Sequence, residues 1–459
     1  MAKINIVKNS ELTIHKRFDS DFFQKKYLEL DKFLGDAESI QKISNTVDLQ
    51  SNGAFKVIFN ILNDHGRKEV PYIRSGNVGD FFVNKEELHL ISKIAHARLP
   101  KTHTMVGDIL MARKGKIGGA TLITEDDVNY NSNDNVVNIR LKSTEYLPTY
   151  FVAFWNSKFG LQQVERFATG NVQPWLSMKQ VRMLKTVKLS MNNQKEINDI
   201  IVEAYEKNDI SKKLYKEATE LLARELGLDK ITFDKPNNYI ANLSEVIDFS
   251  RFDSEHFKPK FKKIRKMIRS YSNGFEYLLD NIIAVKPSYN LANHTEQYIK
   301  YIELSNINPS MGYIERIENM DIKKAPSRAK RIVIAGDVIA SSVVGSVDKA
   351  GLVSESESGY IASNGFFQFR SNYYSAEFLL ILIKSEFIKE QFQQQSTGGI
   401  LSAVSDQNLK HLIIPVIKID LQNEITTLVQ KAHINIRRSK QLLEQAKSRV
   451  EQLIEEAAR

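Results

Sequence analysis

The sequence predicts an α+β protein built twice. Two duplicated α/β units are separated by two long helices, which pair as an antiparallel coiled coil with an approximate two-fold axis. Three observations predict this. Short motifs recur in the same order at a nearly constant offset. Each copy carries short β-branched runs followed by an apolar helix. Each copy ends in a long segment without Pro or Gly whose apolar positions step by four and three.

The duplication comes first, because a repeat sets the architecture. Arg17-Phe-Asp-Ser20 returns as Arg251-Phe-Asp-Ser254, an offset of 234, and Ser10-Glu11-Leu12 matches Ser244-Glu245-Val246. Gly107-Asp-Ile-Leu-Met-Ala112 returns as Gly336-Asp-Val-Ile-Ala-Ser341, and Ser132-Asn133 as Ser363-Asn364. Thr169-Gly170 matches Thr397-Gly398, Ser177 matches Ser405, and Gln194-Lys-Glu-Ile197 matches Gln422-Asn-Glu-Ile425 at offset 228. Chance would scatter these offsets. Two copies of a long unit make a tandem pair, not a solenoid. The boundaries read as 1–190 for the first unit and 191–228 for its helix. Residues 229–420 are a linker with the second unit, and 421–459 are the second helix.

Within the first copy, Val70–Arg74, Asp108–Ala112, Ala120–Ile123 and Val136–Leu141 read as strands bounded by Gly, Asn and Asp. Leu147–Arg166 reads as one helix. Pro148 suits its first turn, and Tyr150, Phe151, Phe154, Trp155, Leu161 and Val164 form its apolar face. Ser375–Gln395 is the matching helix of the second copy.

The long helices share one register. The seam of the first is Ile197, Ile201, Ala204, Asn208, Ser211, Tyr215, Ala218 and Leu222. That of the second is Ile425, Val429, Ala432, Ile436, Ser439, Leu443, Ala446 and Val450, every pair at offset 228. Alternate layers are small, so two backbones can approach closely. Asn208 is expected to set register, as a single polar core residue can. Gly227 reads as a helix stop, and Asp229–Ala241 as the linker.

Composition narrows the chemistry. The 459 residues include 64 Lys and Arg against 55 Asp and Glu, a net charge of +9 that suits a polyanionic partner. With no Cys, disulfides, cysteine metal sites and thiol catalysis are excluded. No apolar run approaches the roughly 18 residues of a membrane span. Met1-Ala-Lys-Ile-Asn-Ile lacks a signal-peptide core, so a cytoplasmic location is expected. There is no phosphate-loop or dinucleotide motif and no H-E-x-x-H. His96 and His103 read as polar loop histidines. These absences favour a binding protein over an enzyme.

The duplicated plan, the two Arg-Phe-Asp-Ser motifs, the Gly-Asp strands and the Thr-Gly turns resemble the specificity (S) subunit of Type I restriction–modification systems. So do the strand-to-helix junctions, Val187–Leu189 into Gln194 and Ile413–Pro415 into Gln422. The sequence departs from the proline-rich strand end common in that family. Only Pro415 remains in the second copy, and Ser190-Met-Asn-Asn193 stands in the first. The resemblance implies that each globular unit is a target recognition domain reading one half of a bipartite DNA site, and that the helix pair sets the spacer. It implies a non-catalytic chain that binds no cofactor itself. Two modification (methyltransferase) subunits would carry S-adenosylmethionine, and restriction (translocase/nuclease) subunits would use ATP and Mg. Alternatives are a specificity subunit for a related modification system and a coiled-coil scaffold that binds proteins.

Candidate DNA contacts follow from residue type and loop position. Arg113, Lys114 and Lys116 follow the Gly107 strand beside glycines. Arg74 and Asn77 end a strand, and such side chains suit bidentate reading of guanine and adenine. Asn133 and Gln173 sit in adjoining loops, with Trp175 either in the core or at a groove. The second copy offers Asn306, Ser341, Ser342, Asn364, Thr397 and Gly398 at matching positions. The basic segment Lys323-Lys324 through Arg328, Lys330 and Arg331 stands in for the absent basic loop. Since these loops differ between copies, the expected site is asymmetric.

Overall fold

Strand pairing repeats the duplication seen in the sequence. The computed structural model describes residues 18–34, 40–52, 55–115, 117–170, 172–228, 238–249, 251–291, 296–397 and 402–457. The chain divides into two units, Met1–Glu206 with Arg438–Arg459, and Lys207–Arg437. Each unit therefore takes one part of each long helix.

Among its described residues unit one holds nine strands: β1 (Ile40–Lys42), β2 (Val47–Gln50), β3 (Lys68–Ile73), β4 (His89–Ser92), β5 (Ile109–Ala112), β6 (Ala120–Leu122), β7 (Asn131–Ser132), β8 (Val136–Leu141) and β9 (Lys185–Val187). They form an antiparallel sheet in the order β2-β8-β5-β6, a second sheet β4-β3-β7, and the pair β1-β9. In the second sheet β3 and β7 run parallel, with Ile73 opposite Ser132.

Unit two holds β10 (Phe275–Tyr277), β11 (Ile283–Ala284), β12 (Tyr298–Ile302), β13 (Asn319–Asp321), β14 (Ala329–Ile332), β15 (Val338–Ser341), β16 (Ala350–Leu352), β17 (Ile361–Ser363), β18 (Phe366–Arg370) and β19 (Ile413–Pro415). The orders β11-β18-β15-β16, β13-β12-β17-β14 and β10-β19 repeat the plan of unit one, with β14 added at the edge of the second sheet. Again one pair is parallel, with Ile302 opposite Ala362.

Among the described residues, the helices used below are α1 (Lys25–Phe33), α2 (Pro148–Asn156), α3 (Lys158–Phe167), α4 (Met191–Glu225), α5 (Pro259–Arg269), α6 (Ala376–Lys384), α7 (Glu386–Gln395) and α8 (Ile419–Ala457). The single helix expected over Leu147–Arg166 is two, α2 and α3, and its counterpart is likewise α6 and α7. Both break at the same serine. Ser157 and Ser385 are extended, and each hydroxyl bonds the carbonyl three residues back, on Phe154 and Leu382. The phase of the apolar face resets at that break. Leu161, expected in the core, is 41% exposed, whereas Val164 is buried.

A glutamine locks each broken helix to its sheet. Gln163 accepts the Lys185 N–H at 2.8 Å and donates to the Lys185 carbonyl at 3.0 Å. Gln391 makes the same two bonds to Ile413, at 2.9 and 2.8 Å. The side-chain amide thus acts as one more backbone partner for β9 and β19, satisfying groups that burial would otherwise leave unpaired.

The long helices pair through the positions the sequence marks. All sixteen seam residues are buried. In unit one Glu196 meets Arg449 at 2.7 Å and Glu203 meets Arg438 at 3.3 Å, so the two segments run antiparallel. Their apolar side chains join one core with α2 and α3. Unit two builds the corresponding core from Tyr215, Ala218 and Leu222 with Ile425, Val429 and Ala432. Asn208 does not fix the register: its side-chain amide donates to neighbouring Asp209 on the same helix. Two serine-to-carbonyl bonds do so instead. Gly227, in the left-handed region at φ 63°, stops α4. Residues 229–237 of the expected linker lie outside the described residues.

Candidate nucleic-acid interface

Repeated motifs first have a structural job. Gly107 and Gly336 sit at φ 87° and 88°, where a side chain would be strained, and turn the chain into β5 and β15. The aspartate that follows is buried. Asp108 accepts the Met105 N–H and is clamped by Arg140, at 2.7 and 2.6 Å. Asp337 accepts the Ile334 N–H and is clamped by Arg370, at 2.8 and 3.1 Å. The carboxylate holds the Arg140 guanidinium above its ordinary pKa. Asp19 and Asp253, of the Arg-Phe-Asp-Ser motifs, cap short helices by accepting N–H groups of Phe22 and His256. These motifs position the loops.

Four loops of unit one converge at one end of its sheets. Because β3 and β7 are parallel neighbours, Arg74 and Asn133 emerge side by side, and the Asn133 N–H bonds the Ile73 carbonyl. The loop after β5 joins them, since the Arg113 N–H bonds the Asn135 carbonyl and Gly115 faces Ser75. Thr169 and Trp175 close the group through paired backbone bonds to each other, and Trp175 bridges to Lys114. Arg74, Lys114, Gln173 and Trp175 are exposed there. Trp175 is 43% exposed and belongs to the surface.

Arg113 is half-buried and ties loops together. Its Nε donates to the Asp134 carbonyl at 2.8 Å and its Nη1 to the Leu176 carbonyl at 3.3 Å. Asn133 is half-buried and accepts the Asn135 N–H. Lys116 lies outside the described residues. Asn77 corrects the expectation of a base reader. It is buried, its Oδ1 accepts the Arg74 N–H, and its amide donates to the Asn84 and Glu86 carbonyls. Burial makes that inward bonding obligatory.

Unit two assembles the same end from matching loops. The Ser342 N–H and hydroxyl both bond the Gly365 carbonyl, and Thr397 pairs with Ala403, which bridges to Val343. Asn364 and Thr397 are exposed and Ser342 is half-buried. The Asn364 N–H bonds the Arg328 carbonyl, bringing exposed Arg328 to this end. Ser341 is buried and turns its hydroxyl to the Val343 carbonyl, so it too is structural. Asn306 repeats the role of Asn77, accepting the Glu303 N–H. Arg331 leaves the basic segment: it is buried, donates to the Val285 carbonyl, and has its pKa lowered by burial. Gly398 lies outside the described residues.

Sequence reasoning missed how the turn at Ser75 reaches Gly115. The contact spans some forty positions, and no local pattern encodes it. It also missed the inward side chains of Asn77 and Ser341, since residue type alone does not give direction. His96 and His103 stack at 3.8 Å, and burial followed by the neighbouring His103 lowers the His96 pKa. Among the described residues no group of three or more His, Asp or Glu side chains is placed to hold a metal ion. Among them, too, no helix is long and apolar enough to cross a membrane.

Neither a family model nor a curated protein matches the sequence. Solved structures do match. The chain is similar in structure to Type I restriction–modification S subunits. One is the S subunit from M. genitalium, 13% identical at a TM-score of 0.42, over 92% of this chain and 97% of that one. Another is the HsdS subunit from Thermoanaerobacter tengcongensis, 10% identical at 0.30, over 90% and 96%. A third comes from work on complex assembly and conformational transition of the type I R-M system, 10% identical at 0.30, over 93% and 98%.

Proposed function

We propose that this chain is the sequence-specific DNA-recognition subunit of a Type I restriction–modification complex. Each unit reads one half of an asymmetric bipartite site, and the helix pair sets the spacer between halves. One observation carries the reading: the same converging loop end is built twice, on matching topology, with different exposed side chains. Arg74, Lys114 and Gln173 are exposed at that end of unit one, and Asn364, Thr397 and Arg328 at that of unit two, beside half-buried Ser342. A frame shared by the two copies with unlike tips is what two different half-sites require. Phosphate contacts from the basic residues set the register, and amide and guanidinium groups read base edges.

On this reading the chain is non-catalytic and cytoplasmic. Two modification subunits dock on it, and restriction subunits complete the assembly. S-adenosylmethionine, ATP and Mg belong to those partners.

Deleting the gene and mapping adenine methylation across the genome by long-read sequencing tests this. A split motif of two unlike halves, methylated in the parent and bare in the deletion, is the expected result. Identical methylomes, with the modification gene expressed, would overturn the reading in favour of a protein-binding scaffold.

A further inference from the structure

Helices α1 and α5, equivalent by the duplication, have the same inner face and a different outer one. Tyr27, Leu30 and Leu34 are buried in and just after α1, and Phe261, Ile264 and Ile268 are buried in α5 at offset 234. At that offset the outward residues Gln24, Leu28, Asp31 and Lys32 become Lys258, Lys262, Arg265 and Lys266, and Arg269 follows one turn later. Four matched positions thus go from zero net charge to plus four. The Asp31-to-Arg265 exchange has a packing role, since Asp31 pairs with buried Arg166 at 2.7 Å, but the buried inner face of α1 forms with neutral Gln24 and Leu28 at the positions of Lys258 and Lys262.

We infer that the outer face of α5 is a phosphate-contacting track for the backbone of double-stranded DNA, present only in the second copy. It rests on the DNA-recognition reading and adds a sequence-independent contact outside the converging loops. All five basic residues line a cleft of about 670 Å³, and Glu245 is the sole carboxylate among the described residues lining it. Lys262, Lys266 and Arg269 are exposed. Arg265 is half-buried and anchored through a bond from Nη1 to the His411 carbonyl at 2.9 Å. Glu245 pairs with Lys262 at 2.9 Å, a surface contact that opens readily when a phosphate competes.

The shape favours a polymer over a single anion. Cations repeat along one helix face at about 5.4 Å per turn, and the cleft is open, so the row follows a line of charges. The cleft also adjoins the reading end. Gln394 lines it three residues before Thr397. DNA held at the loops of unit two would have its backbone within reach.

The test is the salt dependence of binding to a random-sequence duplex, measured with the full chain. Neutralising three exposed cations, as Lys262→Gln/Lys266→Gln/Arg269→Gln, should lower the slope of log affinity against log salt by about 2.7, roughly 0.9 per lost phosphate contact. The charge-retaining variant Lys262→Arg/Lys266→Arg/Arg269→Lys should keep the slope, as should Lys25→Gln/Lys32→Gln on α1. The methylated motif should be unchanged in the neutralised variant. A slope equal to wild type in the neutralised variant overturns the track and leaves the recognition reading standing. Failure of the wild-type chain to bind any duplex at low salt overturns both.

Discussion

The Ser211 hydroxyl donates to the Ala432 carbonyl at 2.6 Å, joining helices α4 and α8 across 221 residues of chain. Ser439 returns the bond to Ala204 at 2.7 Å. Ser211 and Ser439 are equivalent at offset 228, and so are Ala204 and Ala432. The duplication therefore makes one bond twice, once in each unit. Only a small residue at each layer lets a hydroxyl reach a backbone carbonyl that is already part of a helix. Both serines are fully buried.

Replacing Ser211 or Ser439 by Ala should cost about 1 kcal/mol each, the net value of one hydrogen bond. Replacing either by Leu forces the backbones apart and should cost about 1–3 kcal/mol through overpacking. Urea denaturation of the full chain reads both. Since the serines lie in different units, the two Ala effects should add. A leucine variant as stable as the alanine variant would show that the helices are not closely packed there.

Much of this was legible in the sequence, and the reason is periodicity. The seam from Ile197 to Leu222 declares itself because burial on a helix recurs every three or four residues. The duplicated Gly-Asp turn declares itself because Gly107 and Gly336 need a backbone that other residues resist. What was hidden is direction and distance. The break at Ser157 lies inside an otherwise continuous helical pattern, because a serine hydroxyl can bond a carbonyl either within a helix or at its end. Asn77 and Arg74 are both polar residues at a strand end, yet one turns inward and the other outward. Only the loop against which they fold decides that, and it comes from elsewhere in the chain.

Breaking the Asp108–Arg140 clamp should be costly. Asp108→Ala leaves a cation and the Met105 N–H without their acceptor, and should destabilise by about 3 kcal/mol. That is the low end for a buried pair, because Arg140 is partly exposed. Asp337→Ala should match it in the second unit. Thermal unfolding followed by circular dichroism measures both. A cost below about 1 kcal/mol would mean that solvent replaces the clamp.

Acid should weaken the second unit through His433. Its Nε2 bonds the Met311 carbonyl at 2.9 Å, and its ring stacks on Tyr215 at 6.0 Å. Burial holds its pKa below the ordinary value, aided by Arg437 and Lys384 and opposed by the Met311 bond and Glu377. The folded state therefore keeps the ring neutral while the unfolded chain takes up a proton near pH 6.5. Its stabilising contribution is full above that pH and is lost as the pH falls through 6.5 toward the lower folded value. The melting temperature should drop between about pH 7.5 and 5.5, and His433→Gln should flatten that profile. His96, His256 and His411 are shifted in the same direction. The flattening should therefore be partial, and an unchanged profile would remove His433 as the cause.

Arg74 and Glu303 occupy matching positions, each leaving a strand whose parallel neighbour leads to Asn133 or Asn364. Both side chains are exposed, and the two carry opposite charge. If each stands over its own half-site, changes at the two positions act on different halves of one motif. Arg74→Ala should weaken recognition by about 1–3 kcal/mol, roughly 5-fold to 150-fold, and relax one base position in the first half. Glu303→Ala should leave the first half untouched and change preference only in the second, where a carboxylate favours cytosine as hydrogen-bond donor. Complementing the deletion strain with each variant and mapping its methylated motif separates the halves directly. A variant in either unit that altered both halves would mean that the two converging ends do not read DNA independently.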